Sequence, residues 1–108
     1  MIVTLTLNPA IDKSTEVERL IPEKKMRCPE MLTEAGGGGI NVSKAICELG
    51  GNSLAVFTSG GYNGKLLEGL LQEKNISIKP ITVAGNTREN IVVTELATNK
   101  QFSSNDFQ

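Results

Sequence analysis

A chain of 108 residues, 39% of them hydrophobic, is long enough for one small globular domain with a modest core and too apolar for a disordered tail. Its net charge of −1 comes from dispersed Lys, Arg, Asp and Glu, which excludes a basic nucleic-acid face, and three Phe and one Tyr leave few platforms for stacking bases. Cys28 and Cys47 form neither a C-x-x-C pair nor a zinc spacing, and without any histidine a soft-ligand metal site is excluded as well.

Residues 1 to 7 alternate Val3, Leu5 and Leu7 with Thr4 and Thr6, a strand pattern halted by Asn8-Pro9. This start lacks the basic segment and long apolar core of a signal peptide, and no apolar run approaches membrane-spanning length, so a cytoplasmic protein with free thiols is expected. Residues 14 to 34 are polar and carry Pro22 and Pro29; they read as short exposed strands or loop.

Four glycines, Gly36 to Gly39, then run directly into a helix whose Val42, Ala45, Ile46 and Leu49 fall at i, i+3, i+4 and i+7. Gly50-Gly51 stop it. Backbone without Cβ atoms at a helix start suits close approach of an oxygen-rich ligand, with a flexible linker as the competing reading. Residues 53 to 58, Ser-Leu-Ala-Val-Phe-Thr, form an apolar run expected to be a strand covered on both faces and parallel to residues 1 to 7.

Gly60 to Gly64 lead into a second helix over Lys65 to Lys74, with Leu66, Leu67, Leu70 and Leu71 as its buried stripe and Asn75 at its end. Residues 76 to 83 read as a third strand despite Pro80, and 90 to 97 pair across Thr98-Asn99-Lys100 with Gln101-Phe102 as a hairpin. This order predicts an α/β fold, a parallel βαβαβ core in which the polar segment and the late hairpin form a small side sheet. That side sheet would overhang the carboxyl ends of the core strands, where ligands of open α/β sheets bind.

Two nucleotide motifs fail. A dinucleotide fingerprint wants its glycines close behind the first strand, yet almost thirty residues intervene and Asn41 stands where the third glycine belongs. A Walker A loop ending at Lys65 would need glycine at Ser59 and a hydroxyl at Leu66.

The chain resembles the ribokinase-like sugar kinases in their phosphofructokinase B branch, through Thr4-Leu5-Thr6-Leu7-Asn8-Pro9-Ala10-Ile11-Asp12, Gly36 to Ala45, Gly60-Gly61 and Thr87-Arg88-Glu89-Asn90. The run of four glycines is similar to that of the 6-phosphofructokinase members. The resemblance implies transfer of the γ-phosphoryl of ATP, with Mg, to fructose 6-phosphate, with fructose 1-phosphate or tagatose 6-phosphate as alternative acceptors. It also implies that the side strands, from 14–34 and 88–104, act as a lid and homodimer contact. The Gly-Ala-Gly-Asp motif that supplies anion hole and catalytic base in this family is absent from these residues, so the chain is similar to the amino-terminal part only, and no catalytic or nucleotide-binding residue is assigned in it.

The substrate side can be argued from residue chemistry. Asp12, taken to lie just past a strand end, can accept hydrogen bonds from two sugar hydroxyls; a surface-turn aspartate is the alternative. Gly37 and Gly38 allow a sugar to rest on backbone, and Asn41 can both donate and accept, or simply cap the helix. Arg88 offers a planar fork to a phosphate, and Lys25 and Arg27 are further candidates, acting across a dimer interface, with an ordinary solvated face as the alternative. The chain alone is expected to have no turnover and to self-associate through uncovered apolar faces. A non-catalytic sugar-phosphate-binding module and a ligand-free interaction fragment are the competing classes.

Overall fold

A computed structural model describes residues 1–18 and 31–103. Its elements are β1 (Ile2–Thr6), β2 (Ala10–Val17), β3 (Leu32–Gly36), α1 (Gly38–Glu48), β4 (Ser53–Ser59), α2 (Gly61–Glu73), β5 (Ser77–Thr82), β6 (Arg88–Glu95) and β7 (Lys100–Ser103). They divide into two units, Met1–Ile11 with Glu34–Glu89 and Asp12–Thr33 with Asn90–Gln108.

In the first unit β1, β4 and β5 form a parallel sheet in the order β1-β4-β5, with Thr4 beside Ala55 and Phe57 beside Pro80. Pro80 is tolerated because β5 is an edge strand, where a missing N–H breaks no ladder. Both helices lie on one face: Ile40 from α1 and Leu67 and Leu71 from α2 join Ala55 and Phe57 in the core, together with Ile11 and Ala35. The leucine stripe of α2 is therefore as expected, with Leu66 and Leu70 partly buried against the core. The helix is longer than its periodicity indicated, because Gly61 and Gly64 belong to its first turn.

Two expectations are corrected. On α1 the buried residues are Ile40 and Ser43, whereas Val42 and Leu49 face solvent at 50% and 88% exposure. On β1 it is Thr4 and Thr6 that turn toward the helix, and Val3, Leu5 and Leu7 are 59–71% exposed. The physical reason is a seam of hydroxyls. Thr4 Oγ1 and Ser43 Oγ share a hydrogen bond of 2.7 Å, Ser53 Oγ donates to Ser43 Oγ at 2.9 Å, and Ile40 N donates to Thr6 Oγ1 at 2.9 Å. Aliphatic residues in those strand positions would leave buried hydroxyls and a helix N–H without partners, at about 1–3 kcal/mol each.

The strand β4 is likewise not covered on both faces. Leu54 and Val56 are only half-buried, and they stand in register with Val3 and Leu5 on the face opposite the helices. An uncharged edge strand bearing such a face favours association with another copy. Sedimentation velocity of this chain is expected to show concentration-dependent oligomers that Leu5→Lys shifts toward monomer; a wild-type monomer at every concentration would contradict this.

The second unit contains most of a four-stranded sheet in the order β3-β2-β6-β7. The hairpin β6–β7 pairs Val93 with Phe102 and Glu95 with Lys100, and Asn99 takes the left-handed conformation, φ 57°, in its turn. Leu96 N and Ala97 N donate to the carbonyls of Val17 and Glu18 at 2.8 and 2.9 Å, tying β2 to the end of β6. No helix among the described residues is long and apolar enough to cross a membrane.

Candidate functional site

The glycine run resolves into distinct jobs. Gly37 is the residue before α1, with φ +130°, and a Cβ there would lie 2.6 Å from Thr6 Cγ2 and 3.3 Å from Pro9 Cα. Glycine is thus required for conformation and for space. Gly39 packs as closely, since its Cβ would be 2.7 Å from the Leu5 carbonyl oxygen. Gly38 differs: it is exposed and nothing lies within 4 Å of its absent Cβ. Packing does not demand glycine at 38, so open backbone faces whatever approaches the helix start.

Asn41 donates its backbone N–H to the Gly37 carbonyl at 2.8 Å, the first bond of the helix. Gly37, not Asn41, is therefore the N-cap, and the capping alternative for Asn41 is overturned. Its side chain is exposed one turn into α1.

Arg88 opens β6, and its Nη2 donates to the Asn8 carbonyl at 3.4 Å, a weak bond that leaves most of the guanidinium donors for a ligand. It lines a cleft of about 200 Å³ with Asn8, Pro9, Thr58, Val83, Gly85, Asn86 and Thr87. These residues follow or end β1, β4 and β5, so the cleft sits at the carboxyl ends of the parallel strands. The Asn8-Pro9 turn touches both parts of this unit's site, Gly37 through Pro9 and Arg88 through Asn8. A guanidinium over an open cleft of that size suits an oxyanion.

Asp12 belongs to the second unit and is the third residue of β2, half-buried, which corrects both the position past a strand end and the surface-turn alternative. Its Oδ1 accepts a hydrogen bond from Asn90 Nδ2 at 3.2 Å. That contact orients the carboxylate while Oδ2 stays outside it, as an acceptor of sugar hydroxyls would require. A wide concavity of about 1070 Å³ also lies in this unit, on the four-stranded sheet between Ser14, Glu16, Met31, Leu32, Val92 and Gln101, and among the described residues Asp12, Gly37, Gly38, Asn41 and Arg88 are not part of its lining. Lys25, Arg27 and Cys28 lie outside the described residues.

Reading the sequence missed three contributors. Thr6 holds the helix start, Asn90 holds Asp12, and Asn8 meets Arg88 through its carbonyl. All three stood inside recognised motifs, and the side chains of Thr6 and Asn90 were the available signal. Among the described residues no three carboxylates or thiols gather to hold a cation, and the sequence has no Gly-Ala-Gly-Asp.

Residues 2–107 match the family described as pfkB family carbohydrate kinase. The chain is 45% identical over 101 residues to ATP-dependent 6-phosphofructokinase isozyme 2 of Mycobacterium tuberculosis, covering 94% of this chain and 30% of that protein. It is 36% identical over 98 residues to 1-phosphofructokinase of Xanthomonas campestris, covering 91% and 31%. Among solved structures, phosphofructokinase-2 from Escherichia coli in complex with substrates and products superposes with a TM-score of 0.86 at 40% identity, covering 94% of this chain and 33% of that one. The chain thus spans about a third of the length of the relatives it matches.

Proposed function

Because this chain belongs to the pfkB family of carbohydrate kinases, we propose that it is the sugar-phosphate-holding part of an ATP-dependent 6-phosphofructokinase. The observation that carries the reading is Arg88 on the cleft beside Asn8-Pro9, whose other neighbour is Gly37. Arg88 receives the phosphate of fructose 6-phosphate, Asp12 with Asn90 accepts sugar hydroxyls, and Asn41 and the open backbone of Gly38 meet the sugar at the start of α1. Phosphoryl transfer rests on positioning and charge neutralisation, and this chain supplies the positioning of the acceptor. The four-stranded sheet serves as lid and homodimer contact, a role its large concavity and exposed Met31 and Leu32 support. Lys25 and Arg27 are proposed as further ligands of the phosphate.

The test is ADP formation by the complete kinase, the longer protein that carries this chain, with ATP, Mg and each sugar phosphate in turn. A kcat/KM at least about tenfold higher for fructose 6-phosphate than for fructose 1-phosphate is expected, and the reverse preference would overturn the substrate assignment. The 108-residue chain alone is expected to give no turnover. A second reading is a binding module without catalysis, in which the acceptor-side groups around Arg88 work without nucleotide. Saturable binding of fructose 6-phosphate to a protein lacking ATP turnover in every context would select it.

A further inference from the structure

The first turn of a helix normally leaves its N–H groups without intrahelical partners. In α2 that turn is held instead by the segment just before Arg88. Asn63 N donates to Asn86 Oδ1 at 3.1 Å, and Gly60 N donates to Thr87 Oγ1 at 3.1 Å. In return Thr87 N donates to the Gly60 carbonyl at 2.9 Å, and Asn63 Nδ2 donates to the Thr87 carbonyl at 2.9 Å. Thr87 is buried.

The contact is close enough to dictate both sides. A Cβ on Gly60 would fall 1.6 Å from the Gly85 carbonyl oxygen, and one on Gly61, at φ +62°, would fall 2.5 Å from Asn86 Oδ1. Arg88 follows directly, and its own bond to Asn8 is long. The place of its Cα is therefore fixed by its neighbours more than by its own side chain. A guanidinium that grips an oxyanion needs short, in-plane contacts, and small displacements forfeit them.

We propose that Asn63 and Asn86, acting through Thr87, are positioning residues that aim Arg88 at the phosphate of the acceptor sugar. This rests on the reading of Arg88 given above. It makes the paired glycines at the start of α2 part of acceptor selection rather than a plain turn.

The test uses the complete kinase and compares fructose 6-phosphate with unphosphorylated fructose. Asn63→Ala and Thr87→Val are expected to raise the KM for fructose 6-phosphate about tenfold while kcat stays within about twofold, and to shrink the preference over fructose by the same factor. Thr87→Ser keeps the acceptor for Gly60 N–H and is expected to restore the KM. Lower melting temperature with an unchanged KM in Asn63→Ala, or equal losses on both sugars, would reduce the clamp to a structural role and overturn the proposal. Arg88→Ala separates the two readings. If it leaves the KM unchanged, the phosphate assignment fails; if it raises the KM while Asn63→Ala does not, only the positioning role fails.

Discussion

Arg88→Ala is expected to raise the KM of the complete kinase for fructose 6-phosphate about 30- to 100-fold, which corresponds to losing about 2–3 kcal/mol of charge-assisted hydrogen bonding. The basis is the geometry of the cleft, which Arg88 lines and where one long Nη2 contact of 3.4 Å leaves most of the guanidinium donors for a ligand. Arg88→Lys retains the charge without the planar fork and is expected to fall between wild type and alanine. Steady-state kinetics with ATP saturating would measure both. The KM for ATP should move little, because the role proposed for Arg88 is toward the phosphate of the acceptor. Equal losses for both substrates would mean that Arg88 supports the fold and not the phosphate.

The second large effect is on stability. Gly60→Ala is expected to destabilise by at least about 3 kcal/mol, a sizeable share of the 5–15 kcal/mol that holds a typical domain, because the new methyl would sit 1.6 Å from the Gly85 carbonyl oxygen. Backbone must move to admit it, and the bonds from Gly60 and Asn63 to residues 86 and 87 are lost with that movement. Gly69→Ala, within α2 itself, is the control. Nothing lies within 4 Å of the Gly69 Cβ position, and alanine there is expected to stabilise by about 0.5–1 kcal/mol. Urea unfolding of the two variants would show opposite shifts in midpoint. A small effect of Gly60→Ala would show that the turn at Gly85 yields easily.

The alternation of strand and helix was legible because α2 carries Leu66, Leu67, Leu70 and Leu71 on the side that packs on the core and β4 is an apolar run of strand length between glycine pairs. What hydropathy could not show was the face of β1 and α1. Val3 and Leu5 outrank Thr4 and Thr6 on any apolar scale, as Leu49 outranks Ser43, yet the hydroxyls are buried. Their partners lie 39 and 34 residues away, so the bonds that decide the matter are invisible to a local pattern. Asp12 was misplaced for a related reason. Charged Asp12 and Lys13 obscure a strand that starts at Ala10, immediately after Pro9. Of the candidate site, Gly37, Gly38, Asn41, Asp12 and Arg88 were proposed from their motifs, while the contacts of Thr6, Asn63, Asn86 and Asn90 join distant parts of the chain.

The hydroxyl seam of Thr4, Thr6, Ser43 and Ser53 has a consequence for strand phase. A strand that alternates threonine with aliphatic residues is nearly symmetric under rotation about its axis, and burial alone would drive Val3 and Leu5 inward. Turned that way, β1 would offer Ile40 N–H no acceptor and Ser43 no partner. It would also take Thr6 away from the helix entrance that Gly37 and Gly39 are shaped to fit. The seam therefore acts as a phase lock: it picks one of two competing rotations of the first strand, and with it the place where Asn8-Pro9 emerges beside the glycine turn and the arginine.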